Sequence, residues 1–484
     1  MTSSTQLAGG NGGPEHLLPL IDTALEGLGK GTVERNGPLP AGGPGSNGLR
    51  TGSTAVTGEG CPNTGVGATR ALAEMSQWFT QYAIDPADPA CAAHLHTPPL
   101  AVAVAADVVA GAVNSSLDSW DQGPSGVAVE ADVVRALAHL IGYCPETATG
   151  AMTSGGTESN VTGLMLAREH ATRAAAGKAS RRGRPRILCS TDAHFSVARS
   201  AGVLGLGEDA AIEVGLDSRR RMDPESLHTA LAAIDDAGDV PIAVVATAGT
   251  TDLGTIDPIP EIAGIAETHG LWLHVDAAYG GGAVFSHRLA PLLDGLERAD
   301  SVAIDLHKLG WQPVAAGLFL VRDATLFDPL QRRVAYLNSE DDEQAGYRSL
   351  LGRSLRTTRR ADALKVAVTL RALGRTGLGA LVDRCHDLAG HAASRVNDEP
   401  RLTLHSDPVL TTVVFRYLPR AGDPDSVNAR LRRRLLDEGR AVIGRTEFDG
   451  AVHLKLTLLN PNTTEGDIDA LLETVVAAGD KECA

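Results

Sequence analysis

Aromatic side chains are scarce, at 4% of the 484 residues, and so is positive charge: 43 Lys and Arg face 59 Asp and Glu, for a net charge of −16. A duplex nucleic-acid partner needs a basic face that releases counterions, and a single strand needs stacking platforms, so no nucleic-acid partner is expected. Six cysteines (Cys61, Cys91, Cys144, Cys189, Cys385, Cys483) are scattered with no C-x-x-C pair and no histidine at metal-ligand spacing. That speaks against a zinc site and for reduced thiols in the cytoplasm. No G-x-x-x-x-G-K-[ST] occurs, and the GLGKG of Gly27–Gly31 lacks a preceding strand, which argues against a nucleotide P-loop or a dinucleotide turn. MTSSTQLAGGNGG has neither the basic nor the apolar region of a secretory leader. The longest apolar stretch, Leu100 to Val113, is short for a membrane span and carries Asp107. The expectation is a cytoplasmic protein with no membrane partner.

What is present is 43% hydrophobic chain, enough for roughly two to four domains. Residues 1–66 are rich in Gly, Pro, Ser and Asn and read as a flexible arm with one helix possible over His16 to Leu28. Residues 67–98 read as a helical segment. Over 99–364, short β-branched runs (Arg186–Cys189, Ile242–Thr247, Leu271–Val275, Ser301–Ile304) alternate with amphipathic stretches (Thr157–Ala175, Pro224–Ala237, Pro260–His269). Alternation of this kind predicts an α/β domain with a mostly parallel sheet covered on both faces. Residues 365–484 change character, with a strand at Leu410–Tyr417, a helix at Ser426–Glu438 and a hairpin turning at Asp449-Gly450, which predicts a smaller α+β domain.

Four segments carry chemistry. TSGGTESN (Thr153–Asn160) places two glycines and hydroxyl residues before a helix, so free N–H groups and the helix dipole could hold an anion. An ordinary capped turn explains this octapeptide equally well. LWLHVDAAYGG (Leu271–Gly281) ends an apolar strand in Asp276, where α/β proteins bind ligands; a lone Asp there is more often structural. ADSVAIDLHKLGWQP (Ala299–Pro313) runs another strand into Asp305, His307 and Lys308. A partly desolvated lysine can form a Schiff base with a carbonyl, although a snorkelling side chain is the plain alternative. TDAHFSVARSAG (Thr191–Gly202) puts His194 after a strand, where a core histidine satisfied by the backbone is the simpler reading. Together the four call for one ligand with a phosphate, a ring nitrogen, a carbonyl and a flat face, and pyridoxal 5'-phosphate has all of them. Asp276 and Lys308 are 32 residues apart, room for one helix and one strand, which would put both at one sheet edge.

These stretches resemble the group II pyridoxal-phosphate amino-acid decarboxylases, of fold type I (aspartate-aminotransferase-like). Shared with that family are HLHTPP (His94–Pro99), NSSLDSWDQ (Asn114–Gln122), TSGGTESN, HFSV, VATAGTTDLGTIDP (Val245–Pro258), HVDAAYG, D-x-HK, TTRRADALK (Thr357–Lys365) and LKLTLLNP (Leu454–Pro461). Within the family they are most similar to bacterial 2,4-diaminobutyrate decarboxylases and siderophore-pathway lysine decarboxylases. The resemblance implies a homodimeric carboxy-lyase with the active site shared across the interface. It implies Lys308 as the covalent attachment and proton shuttle, Asp276 at the pyridine nitrogen, His194 on one ring face and Ala278 on the other. Gly156, Thr157, Ser301 and His307 would hold the phosphate, with Thr247 beside the ring. Tyr347, on the loop between Tyr336 and Arg360, would reprotonate Cα, although the family's tyrosine aligns nearer Leu350.

Relatives acting on glutamate or aromatic substrates tend to have an aromatic residue where this chain has Asp118. A carboxylate there could pair with a second ammonium, which favours a diamino acid: 2,4-diaminobutyrate, ornithine or lysine. His94 and Thr97 would line the same pocket. The plainer reading of Asp118 is a capping or interface role. The alternatives are an aromatic or small aliphatic substrate, or another outcome on the same fold, as in an aldehyde synthase or an aminotransferase.

Overall fold

The computed structural model describes residues 7–45, 63–175 and 183–483, and Cys61 lies outside them. The chain forms two compact units, Pro99–Arg384 and a unit made of Met1–Pro98 with Cys385–Ala484. This corrects the expected division. The first 98 residues do not stand apart from the C-terminal part, and the second boundary falls at 384/385 instead of 364/365.

The arm is also more regular than its composition suggests. Gly13–Arg35 is one helix, with Pro19 inside it. It packs on the helix Ala68–Tyr82, and Gly27 makes that possible, since a Cβ there would lie 2.8 Å from Ser76 Cβ. Gly27 and Gly31 of GLGKG thus serve a helix crossing. Buried Arg35 closes the junction by pairing with Asp85.

The strands in chain order are β1 (Cys91–Ala92), β2 (Thr149–Thr153), β3 (Pro185–Ser190), β4 (Ala211–Val214), β5 (Val240–Thr247), β6 (Trp272–Ala277), β7 (Ser301–Asp305), β8 (Gly317–Val321), β9 (Leu402–Leu404), β10 (Thr412–Tyr417), β11 (Val442–Phe448) and β12 (Ala451–Thr457). In the terminal unit they form the sheet β1-β11-β12-β10-β9, antiparallel except where β1 joins β11. The hairpin turns at Asp449 and Gly450, both at positive φ, as a tight two-residue turn requires. Thr464 and Asp467 cap the last helix, Glu465–Cys483, reciprocally.

Unit Pro99–Arg384 holds the sheet β2-β8-β7-β6-β5-β3-β4. Strands β4, β3, β5, β6 and β7 are parallel neighbours, and β8 runs antiparallel between β7 and β2. β3, β5, β6 and β7 read as continuous apolar runs because helices cover both faces, with Ile187, Val244, Val275 and Val302 fully buried. Two antiparallel pairings restore the direction of β2, so Thr153, Ser190, Thr247, Ala277 and Asp305 all end at one edge. That edge gathers the chemistry.

Candidate active site

Asp276 is the next-to-last residue of β6 and is 5% exposed. Two donors hold its carboxylate: Asn160 Nδ2 to Oδ2 at 2.7 Å and the Ala278 N–H to Oδ1 at 3.1 Å. Such donors offset the cost of burying a charge. Asn160 comes from the helix Gly156–Ala175, which therefore ties the TSGGTESN turn to the acid.

Lys308 follows β7, and its Nζ lies 3.0 Å from Asp305 Oδ2. The other oxygen, Asp305 Oδ1, is buried and has no hydrogen-bond partner among the described residues. His307 stands beside the same carboxylate, Nε2 to Oδ2 at 3.6 Å, while its Nδ1 accepts from the Ala316 N–H at 3.3 Å. Burial pushes the His307 imidazole below the ordinary histidine range, against the pull of Asp305.

The glycine turn lies directly over these groups. Asp305 and Thr153 both pair with Gly317 of β8, and a Cβ on Gly317 would come 2.6 Å from Gly155 Cα. A Cβ on Gly156 would sit 2.9 Å from Ala278 Cβ and 3.3 Å from Asp305 Oδ2. Only missing side chains let the turn approach. Gly156 and exposed Thr157 then open a 20-residue helix whose first N–H groups have no intrahelical acceptor. Glu130, Arg359 and Met152 brace the strand before the turn: Glu130 Oε1 takes the Met152 N–H at 3.1 Å and Arg359 Nη1 at 2.7 Å, all of it buried.

His194 stands after β3 with Nδ1 2.7 Å from Ser196 Oγ. Burial pushes its imidazole below the ordinary range, and Ser196 and Asn160 connect it by hydrogen bonds to Asp276. Thr247 pairs in register with Asp276, and its Oγ1 is buried with no partner among the described residues. The structure thus brings together Gly156, Thr157, His194, Thr247, Asp276, Ala278, His307 and Lys308.

Ser301 does not join them, which corrects its expected phosphate role. It opens β7, four residues before Asp305 and so roughly 13 Å from it along the strand. Its hydroxyl is fully buried between Trp272 Nε1 at 2.9 Å and His274 Nδ1 at 2.8 Å.

Asp118, 6% exposed, accepts from Ser116 Oγ at 2.5 Å and meets no cation in the described chain. Tyr347 is half exposed and sits edge-on to Trp120 with centroids 4.9 Å apart. A cavity of about 300 Å³ opens beside this ring pair, lined also by Asp121, Tyr336 and Asp342. His94, at positive φ, and buried Thr97 belong to the terminal unit.

Asp305 is the group that residue-by-residue reading passed over as a ligand of Lys308. D-x-HK contained the signal, since three residues after a strand's end bring a lysine back over the acid.

The donor set fits pyridoxal phosphate. Lys308 is an amine for its aldehyde, Asp276 an acid for its ring nitrogen, and the glycine turn with its helix N-terminus a seat for its phosphate. Thr247 Oγ1 is a buried hydroxyl still in need of a partner.

Comparison with known proteins agrees. The pyridoxal-dependent decarboxylase conserved domain matches residues 72–418. The L-2,4-diaminobutyrate decarboxylase of Rhizobium meliloti (strain 1021) is 44% identical over 416 residues, covering 86% of this chain and 82% of that protein. The L-2,4-diaminobutyrate decarboxylase of Acinetobacter baumannii is 34% identical over 437 residues, covering 86% and 85%. A crystal structure from Vibrio parahaemolyticus superposes with a TM-score of 0.86 at 33% identity and 98% coverage of both chains. It is described as the glutamate decarboxylase domain of diaminobutyrate-pyruvate transaminase and L-2,4-diaminobutyrate decarboxylase.

Proposed function

Because the chain belongs to the pyridoxal-dependent decarboxylase family and is therefore a pyridoxal-phosphate carboxy-lyase acting on an amino acid, we propose that its substrate is L-2,4-diaminobutyrate. The observation that carries the choice is the 44% identity, sustained over 86% of the chain, to a protein of that activity. Asp118 supports it: a buried carboxylate with no cationic neighbour is suited to the second ammonium of a diamino acid.

When bound, the cofactor supplies an aldehyde for covalent attachment and an electron-withdrawing ring that accepts the electron pair left by departing CO2. The chain's residues do the rest. Lys308 Nζ would be the point of attachment for the cofactor's aldehyde, and Asp305 Oδ2, 3.0 Å away, holds that amine in position. Asp276, held by Asn160 and Ala278, presents a carboxylate to the ring N–H. His194 would cover one face of the ring and Ala278 the other, and together they would orient the substrate between them. Gly156, Thr157 and His307 surround the phosphate seat. Tyr347 Oη returns a proton to Cα.

The working form is a homodimer in the cytoplasm. The helix Ala101–Val113 exposes Val104, Val108, Val109 and Val113, an apolar surface that a second copy would cover. Light scattering at twice the 50.2 kDa chain mass is expected, and a monomer would overturn it. Location in the cytoplasm is supported by the described cysteines Cys91, Cys144, Cys189, Cys385 and Cys483, none of which is in a disulfide. No described helix is long and apolar enough to cross a membrane.

The deciding experiment measures CO2 and amine from L-2,4-diaminobutyrate, ornithine, lysine, glutamate, aspartate and tryptophan. Diaminobutyrate should exceed ornithine in kcat/KM by about 10-fold or more, the worth of one misplaced methylene. Asp118→Asn should erode the preference for diamino acids. A preference for an acidic or aromatic substrate would overturn the assignment.

A further inference from the structure

Behind the active site, buried side chains form a file of hydrogen bonds that ends on His194. It starts at Trp272 Nε1, which can only donate, and which gives its proton to Ser301 Oγ at 2.9 Å. Ser301 Oγ gives its own proton to His274 Nδ1 at 2.8 Å, because Nε2 of that ring faces an amide oxygen and so carries the ring proton. That leaves the His274 proton on Nε2, which donates to Asn160 Oδ1 at 2.9 Å. The Asn160 amide nitrogen spends its two protons on Asp276 Oδ2 at 2.7 Å and Ser196 Oγ at 2.9 Å. The reverse amide orientation would set a carbonyl oxygen against a carboxylate, so this one is fixed. Ser196 Oγ, already accepting, donates to His194 Nδ1 at 2.7 Å, and the Ser196 N–H approaches the same nitrogen at 3.3 Å.

The directions follow from the Asp276 carboxylate, which orients the Asn160 amide and so the His274 Nε2–H, and from the Ser196 backbone N–H, which makes His194 Nδ1 an acceptor. Nδ1 of His194 is an acceptor, so the ring proton sits on Nε2, for which no described residue supplies a partner. Trp272, Ser301, His274, Asn160 and Ser196 are each at most 3% exposed, so water does not stand in for a missing link. The helix carrying Asn160 reaches His274 through Gly163, where a Cβ would lie 2.8 Å from His274 Nδ1.

We propose that this file sets the tautomer of His194, holding it as a neutral Nε2–H donor for the substrate carboxylate, with Trp272, Ser301, His274, Asn160 and Ser196 as positioning residues. The inference rests on the decarboxylase reading of the site. Its chemical use follows from the reaction: the carboxylate loses its negative charge as CO2 departs. A cationic partner would therefore stabilise the substrate more than the transition state, whereas a neutral N–H orients the group with less of that penalty. A second proton on Nδ1 would strand the Ser196 hydroxyl proton, because Asn160 Nδ2 already occupies that oxygen as a donor.

The test is ring ¹⁵N NMR of histidine-labelled holoenzyme without substrate, with the His194 signal assigned by its loss in His194→Gln. At neutral pH the expected pattern is pyrrole-type Nε2 and pyridine-type Nδ1. Ser196→Ala should mix the tautomers and lower kcat/KM about 10-fold, the worth of one hydrogen bond; Ser196→Thr should restore both. Trp272→Phe, a milder change to the core, should shift the His274 ring signals and partly release His194. A protonated Nδ1 in the wild type, or an unchanged pattern in Ser196→Ala, would overturn the inference. Neither result depends on which amino acid is the substrate, so failure here is distinct from failure of the substrate panel.

Discussion

Lys308 and Asp305 form an ion pair, Nζ to Oδ2 at 3.0 Å, between the last residue of β7 and the residue three further on. The carboxylate is 3% exposed and its second oxygen has no partner among the described residues, so Lys308 is its main compensation. Removing the lysine should therefore do two separable things.

Lys308→Ala should abolish covalent attachment and lower activity by at least about 10²–10⁴-fold, the range of a lost acid–base group alone. It should also destabilise the chain by about 3 kcal/mol, the low end for a broken buried pair, since Lys308 keeps 19% exposure. Adding Asp305→Asn to Lys308→Ala removes the stranded charge and should recover most of that stability but none of the activity. Urea midpoints and cofactor absorbance after dialysis check both. Stability that stays low in the double variant would show that Asp305 is not the stranded group.

Tyr347, proposed to return a proton to Cα, lies edge-on to Trp120 beside a cavity, half exposed. Tyr347→Phe should leave substrate KM within about threefold and lower kcat about 10²-fold or more, as for a lost general acid. It should also raise the fraction of carbonyl by-product, because an unprotonated Cα leaves time for side reactions. Amine and aldehyde quantified from one reaction decide the matter. An unchanged ratio would remove Tyr347 from the mechanism and direct attention to other groups on that loop.

The local parts of this site were legible in the sequence, and its cross-strand parts were not. The runs ending in Asp276 and Lys308 announce buried strands because both faces of a parallel sheet are covered, which leaves an unbroken apolar signal. The strand β4 and the glycine-bearing β2 carry weaker signals, and only the middle of the helix Gly13–Arg35 was legible, its ends lying among glycines. Asn160 binds partners 36, 114 and 116 residues away, which no local spacing reveals. Ser301 was misplaced because nearness in sequence to His307 and Lys308 is not nearness in space: it opens β7, whose other end carries Asp305.

The acid limb of stability offers the last test, because two buried groups oppose each other there. Burial pushes His274 down to about 4, so the native state resists protonation that the unfolded chain accepts near its ordinary value of 6.5. Its contribution is full above pH 6.5 and is lost as the pH falls from there toward 4. Asp257 behaves in the opposite sense. Buried, with the N–H groups of Met222 and Thr247 on its oxygens at 2.7 Å, it is raised by desolvation to about 6. The unfolded chain releases that proton near 3.8, so Asp257 favours the folded state at low pH and less so as the pH rises through 6. Over pH 4 to 6 the two slopes largely cancel. Asp257→Asn removes the opposing acid and should therefore make stability fall more steeply on acidification than in the wild type, by about 1–3 kcal/mol between pH 6 and 4. The variant should also start from a lower stability at pH 7, having lost one of two acceptors for buried N–H groups. Denaturation midpoints across that window decide it. Parallel curves for the two proteins would mean that Asp257 stays ionised in the fold, its two N–H donors outweighing its burial.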